Sequence, residues 1–290
     1  MKLDYKILWV DDRIDDRPFQ KILKSTKEHL ISQYFNCEII SAKDFKEFIE
    51  NFNLKDEYDI IITDYTLNNG TFGNQVIDYV RENQHNYTEI FFYSAQININ
   101  EIKLFSKSRI TFFPLTEGDY KELEHEVLEV INQTIKKFQH IVAMRGMIMN
   151  ETSSLDIEFT DILEKVIVNN EQAITKIKER YKKFNSDNIS EADTLLLKDL
   201  LYKIGASHRW KGLKENIAKD EVFNILLDYE KDIIITRNKF AHAVLEKDEN
   251  GREYFKDKKD GIDFNEEKCK EIRKNIKIQK QNLDNLQSKI

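Results

Sequence analysis

Cysteine, proline and glycine are all scarce in this 290-residue chain, at two, two and eight residues. Cys37 and Cys269 lack paired metal-ligand spacing, which argues against a disulfide framework and fits a reducing cytosol. No apolar run is long enough to span a bilayer. The N-terminal MKLDYKILWVDD has neither the long apolar stretch nor the small-residue cleavage site of a signal peptide. A soluble cytoplasmic protein with no membrane partner is therefore expected. The net charge of -7 argues against a generally basic nucleic-acid binder. No DNA partner is expected, and any RNA contact would come from a local basic cluster. A Gly-rich phosphate loop, a Ser-His-Asp arrangement and a zinc-spaced Cys/His set are all missing.

Both prolines, Pro18 and Pro114, lie in the first half, where short apolar runs alternate with amphipathic ones. KILWV (6–10), CEIISA (37–42), YDIIIT (58–63), EIFFYSA (89–95) and RITFFPL (109–115) read as strands, being short and rich in β-branched or aromatic residues. Helical patterns near 16–33, 44–52, 73–83 and 98–106 separate them. Alternation of this kind predicts a doubly wound, five-stranded parallel sheet over residues 1–118, covered on both faces.

From Leu115 to Ile290 there is no proline, and apolar residues recur three and four apart. Leu123, Val127, Val130, Ile131, Ile135, Phe138 and Val142 form one stripe, which predicts a long connecting helix over about 119–150. Further helices are expected near 153–183, 190–204, 217–245 and 263–288. NSDNIS (185–190) and residues 247–261 read as loops, the second with room for a hairpin at Asn250-Gly251. The fold class is thus α/β followed by an all-α bundle over 119–290, joined by a stiff helix.

Ligands of a parallel α/β sheet bind outside the carboxyl ends of the strands. Asp11 and Asp12 follow the first strand, Asp64 ends the third and Ser94 ends the fourth. Clustered carboxylates suit Mg²⁺, a hard cation that takes oxygen ligands. They also repel one another and call for a counter-charge nearby.

On ILWVDD, DIIITDYTL, Gly73 and Ser94, residues 4–118 resemble the receiver domain of response regulators. The resemblance implies that Asp64 accepts a phosphoryl group and that Ser94 contacts it. It implies Mg²⁺ bound by Asp12 and Asp64 directly, by Asp11 through water and by the Thr66 carbonyl. A histidine kinase or another signalling partner is implied as well. The sequence departs from the family at Phe113-Pro114, where a Lys-Pro is usual, and at Ile110, the usual aromatic switch position. Lys107 and Arg109 are the nearby candidates to replace the lysine. Phosphorylation through an altered switch, a Mg²⁺-binding or ligand-gated pseudo-receiver, and an acidic docking module all fit these residues.

In the second half, IITRNKFAHAVLE places Arg237, Asn238 and His242 in an aliphatic setting. Cleavage of RNA by its own 2′-hydroxyl needs a proton taken from that hydroxyl and one given to the 5′ oxygen, which histidine can do near neutral pH. The phosphorane gathers negative charge that a permanent planar cation offsets. On one helix Asn238 and His242 share a face, whereas Arg237 and His242 lie about 140° apart. Two copies facing across a two-fold axis would pool both pairs, which predicts a homodimer. The Arg-x4-His spacing in an all-helical segment resembles the HEPN superfamily, many of whose members are metal-independent endoribonucleases. That resemblance implies RNA as substrate, no cofactor for its cleavage, and roles in stress response or antiviral defence. The competing reading makes Arg237 an ion-pair partner of Asp228 or Glu230 and leaves His242 and Asn238 without chemistry.

His208-Arg209-Trp210-Lys211 is a basic-aromatic patch suited to RNA contact, or else a packed helix junction with solvated neighbours. The expectation is a signal-regulated endoribonuclease gated by the receiver-like domain. A non-catalytic signalling adaptor and an RNA-binding switch are the alternatives.

Overall fold

The computed structural model describes residues 3–52, 57–84, 86–95, 109–116, 118–184, 191–216, 228–251, 253–257, 260–262 and 265–289. The chain divides into two compact units, essentially residues 2–140 and 141–290.

The first unit runs β1 (Asp4–Val10), α1 (Arg17–Ser32), β2 (Asn36–Ala42), α2 (Phe45–Asn51), β3 (Ile60–Asp64) and α3 (Gly73–Asp78), which continues as a π-turn over Tyr79–Asn83. Then come β4 (Glu89–Ser94), β5 (Ile110–Pro114) and α4 (Tyr120–Phe138). The strands form one sheet in the order β2-β1-β3-β4-β5, every neighbouring pair parallel. Period-two alternation sorts its side chains between two cores. Tyr5, Ile7 and Trp9 of β1 pack with Phe19, Leu30, Leu123 and Val127 of α1 and α4. Leu8 and Val10 pack on the other face with Phe48, Val76 and Ile77 of α2 and α3. Burial on both faces is why these strands read as nearly continuous apolar runs. Pro18 sits in the first turn of α1, where its missing N–H has no partner to lose. Strand order and helices fit the receiver-like α/β fold. The helix expected at 98–106 lies outside the described residues.

The single helix expected over 119–150 is two helices, α4 and α5 (Ile141–Ile167). Leu123, Val127, Val130, Ile131 and Ile135 spend their apolar stripe on the sheet. The helix then closes at Gln139, whose amide donates to the Ile135 and Lys136 carbonyls. Val142, assigned to the same stripe, is 54% exposed. The division between units therefore falls at 140 rather than 118, and α4 is part of the first unit rather than a connector.

The second unit continues with α6 (Glu171–Phe184), α7 (Glu191–Thr194), α8 (Leu197–Lys203) and α9 (Ala206–Asn216). A π-turn at Glu230–Ile235 leads into α10 (Thr236–His242). Strands β6 (Val244–Lys247), β7 (Glu253–Asp257) and β8 (Asp260–Ile262) precede α11 (Glu266–Gln287). Buried Leu155, Phe159 and Leu163 of α5, Trp210 and Leu213 of α9, Phe240 of α10 and Ile276 and Leu283 of α11 supply its core. At Gly212 a Cβ would lie 2.9 Å from the Ile177 Cδ1 methyl, so α9 and α6 meet closely there. The helix expected at 153–183 breaks at residues 168–170. The one expected at 217–245 stops at His242, its first part lying outside the described residues. The hairpin expected at Asn250-Gly251 exists, with Gly251 at φ 79°, and β8 extends it to an antiparallel three-stranded sheet. Both cysteines are free thiols. No described helix is long and apolar enough to cross a membrane.

Candidate functional site

Parallel pairing of β1, β3 and β4 brings their carboxyl ends to one edge of the sheet. One carboxylate oxygen each from Asp11, Asp12 and Asp64 falls within 4.8 Å of the others. Asp11 is fully buried, Asp12 and Asp64 partly. The Arg13 backbone N–H donates to Asp11 Oδ1 at 2.7 Å, and the Tyr93 hydroxyl donates to Asp11 Oδ2. The Trp9 indole N–H donates in turn to the Tyr93 hydroxyl at 3.2 Å. Asp64 Oδ1 accepts the Tyr65 backbone N–H at 2.7 Å. These bonds orient the carboxylates without neutralising them. Burial pushes Asp11 up to about 6, partly offset by the Tyr93 bond. Burial and then the Asp11 charge push Asp64 up to about 7.

Gly73 opens α3 directly behind this cluster. A Cβ there would lie 2.1 Å from the Asp64 carbonyl oxygen, and the Gly73 N–H donates to Tyr65 O at 2.7 Å. Only glycine lets the helix start sit this close to the strand end. A cleft of about 190 Å³ opens over the cluster, lined among others by Asp12, Arg13, Asp64, Thr66, Ser94 and Tyr120. The donors are all oxygens, and burial plus mutual repulsion leaves the site in need of positive charge. Both properties fit a hard divalent cation such as Mg²⁺, which the Asp11, Asp12 and Asp64 group would hold. Such a cation would supply charge neutralisation for an anion arriving at Asp64.

Of the two candidates to replace the missing lysine, neither is found at the cluster among the described residues. Phe113 is buried and stacks on Phe91 with ring centroids 6.2 Å apart. Arg109 precedes β5, at the edge opposite the carboxyl ends, and donates to Tyr87 O at 3.1 Å. Lys107 lies outside the described residues. The sequence reading also passed over two residues of the site. Tyr93 adjoins Ser94 and Arg13 adjoins Asp12, and that adjacency was the available signal.

In the second unit, Arg237 and His242 lie on α10. Arg237 pairs with Asp156 of α5 at 3.7 Å, not with Asp228 or Glu230, and donates to Asn238 Oδ1 at 3.2 Å. Asn238 and His242 are exposed, and His242 is the last residue of the helix. The HRWK patch does not hold together as an RNA surface. Arg209 is buried, ion-paired to Asp156 and bonded to the Leu201 and Ile204 carbonyls, each at 3.0 Å. Trp210 is 2% exposed among Phe159 and Tyr229, and its indole N–H donates to Glu230 at 3.2 Å. No aromatic face is left for a base to stack on. Lys211 is exposed, and His208 is partly so, its imidazole lowered by desolvation and then by Lys211.

No family model matches the chain, and no curated protein does. Solved structures align with its N-terminal part. The non-phosphorylated receiver domain of HemR from Leptospira biflexa is 21% identical at a TM-score of 0.34, covering 44% of this chain and 94% of that one. The chemotaxis response regulator CheY4 of Vibrio cholerae is 20% identical at 0.34, covering 45% and 98%. The receiver domain of the hybrid histidine kinase CckA is 21% identical at 0.27, covering 43% and 96%. At such identities and TM-scores they carry no inference about this chain, whose receiver-like fold stands on its own strand order and strand-end residues.

Proposed function

We propose that the first unit is a signal-receiving domain in which Asp64 accepts a phosphoryl group with Mg²⁺ bound beside it. The observation that carries this is the convergence of three carboxylates within 4.8 Å at the strand ends. An Asp64 carboxylate oxygen attacks the phosphorus of an activated donor, a phosphohistidine or acyl phosphate. The donor's bond to phosphorus breaks, and the leaving group departs with the electron pair. Ser94, buried at the end of β4 and lining the cleft, hydrogen-bonds the transferred group in this proposal. Incubation with acetyl phosphate and Mg²⁺, followed by intact-mass measurement, tests this. Wild type gains one phosphate and Asp64→Ala gains none; equal adducts on both, or none on either, defeat the reading.

The helical unit is the output in this proposal: a HEPN-like, metal-independent endoribonuclease whose cleft two protomers share. Support comes from His242, exposed at the end of α10, and from Arg237, whose side chain keeps 23% of its surface accessible. One protomer's His242 takes the proton of a 2′-hydroxyl as its oxygen attacks phosphorus; the bond from phosphorus to the 5′ oxygen breaks, and the second protomer's protonated His242 gives that oxygen a proton. Arg237 faces the charge on phosphorus. Mixed RNA treated with wild type and His242→Ala in EDTA discriminates: cleavage by wild type alone supports it, and equal residual cleavage removes it.

The Arg237–Asp156 pair favours a second reading. A guanidinium drawn to a carboxylate that it shares with Arg209 suits a non-catalytic signalling adaptor or RNA-binding switch. Inactive wild type that still dimerises on phosphorylation of Asp64 would support that role.

A further inference from the structure

The pocket holds three carboxylates, and β5 supplies no cation. Arg13 directly follows the acidic pair and lines the same cleft as Asp12, Asp64, Thr66 and Ser94. Its guanidinium is parked at the cleft's rim. Nε donates to Asp16 Oδ2 at 3.1 Å, and one terminal nitrogen donates to the Tyr120 hydroxyl at 2.7 Å. The same group lies 5.9 Å from the ring centroids of both Phe19 and Tyr120. The pair with Asp16 is solvent-exposed, at 55% and 52% of the two side chains, so giving it up costs little. Tyr120 is the first residue of α4.

We infer that Arg13 is the cation that answers a phosphoryl group on Asp64, exchanging Asp16 for phosphoryl oxygens and registering the event at the start of α4 through Tyr120. The inference rests on the phosphoryl-acceptor reading above. Chemistry favours arginine in this place. A planar guanidinium can bond an oxyanion through two N–H groups while its face stays against aromatic rings. Arg13 thus takes over two duties that Phe113 and Ile110 cannot perform, those of counter-charge and of reporter. Held on an exposed ion pair at the rim rather than fixed on a strand, it offsets the carboxylates only in part until an anion arrives.

The test is isothermal titration of the full-length protein with Mg²⁺ alone, then with beryllium fluoride in saturating Mg²⁺ as the phosphoryl stand-in. Arg13→Ala should weaken beryllium fluoride binding about tenfold or more. It should tighten Mg²⁺ about two- to fivefold, because a cation has left the acidic cleft. Arg13→Lys should recover part of the first loss. Asp16→Asn, which removes the competing carboxylate, should tighten beryllium fluoride about two- to fourfold. Arg17→Ala, an exposed arginine of α1 that does not line this cleft, should alter neither. A merely structural Arg13 would weaken both ligands together, and that outcome overturns the inference. Undiminished beryllium fluoride binding by Arg13→Ala, with tight wild-type binding, also overturns it and leaves the Asp64 pocket standing. Wild type that binds neither Mg²⁺ nor beryllium fluoride removes the pocket reading and Arg13's role with it.

Discussion

Two charged clusters, one in each unit, balance their charges differently. At the strand ends of the first unit, three carboxylates crowd together and the nearest arginine is tied to Asp16 and Tyr120. In the second unit, Asp156 receives two guanidiniums, Arg209 and Arg237, and Arg209 satisfies two backbone carbonyls as well. One cluster gathers negative charge with no cation on it, and the other shares a single carboxylate between two guanidiniums. Carboxylates crowded in a cleft without a counter-charge are a mark of a ligand site, and the first cluster reads as one. The second reads first as architecture, and its chemistry depends on what Arg237 does beyond Asp156.

The contrast can be broken most forcefully at Asp156. Replacement by alanine strands the buried Arg209 charge and should destabilise the protein by about 3 kcal/mol. Urea unfolding followed by far-UV circular dichroism reads this. A loss under about 1 kcal/mol would show that Asp156 is not the anchor of its cluster.

Asp64→Asn should act in the opposite direction. It removes a repelled, half-buried charge and should stabilise the metal-free protein at pH 8 by about 1–3 kcal/mol. Destabilisation would mean that the charge is already compensated.

The same argument fixes a pH trend. Asp11 and Asp64 have folded values of about 6 and about 7 against an ordinary 3.8. Their contribution to stability is therefore complete below about pH 4 and is lost as pH rises through 6 and 7. Metal-free wild type should lose stability between pH 5 and pH 8 on their account, and Mg²⁺ should offset part of the loss. A flat profile in wild type, or the same slope in an Asp11→Asn, Asp64→Asn double variant, would refute it.

The smallest effect belongs to His242→Ala. The residue is exposed at a helix end, so stability should change by less than about 0.5 kcal/mol. A larger loss would place His242 in the architecture rather than in any reaction.

How much of this was legible beforehand differs between the units for a physical reason. The five strands announce themselves because a doubly covered sheet demands apolar runs, and the aspartates stand at their ends in chain order. Gly73 too was visible, although the clash that requires it appears only in three dimensions. The end of α4 was not visible, since Gln139-His140 carries no proline or glycine and the apolar stripe continues past it in sequence. Val244 and Leu245 read as more of the helix, yet Ala243 turns extended and β6 begins. Trp210 was legible as a packed helix junction, but Arg209 read as a solvated neighbour because the carboxylate that draws it inward is 53 residues away. Pairing across such a distance leaves no local trace.

The chain holds two tryptophans, and the division at 140 places Trp9 in one unit and Trp210 in the other. Trp9 touches the carboxylate cluster through the Tyr93 hydroxyl, while Trp210 lies among Phe159, Tyr229 and Glu230. Each half thus carries its own indole fluorophore. Single Trp→Phe variants would let emission follow events in one half while the other stays dark, with no label attached.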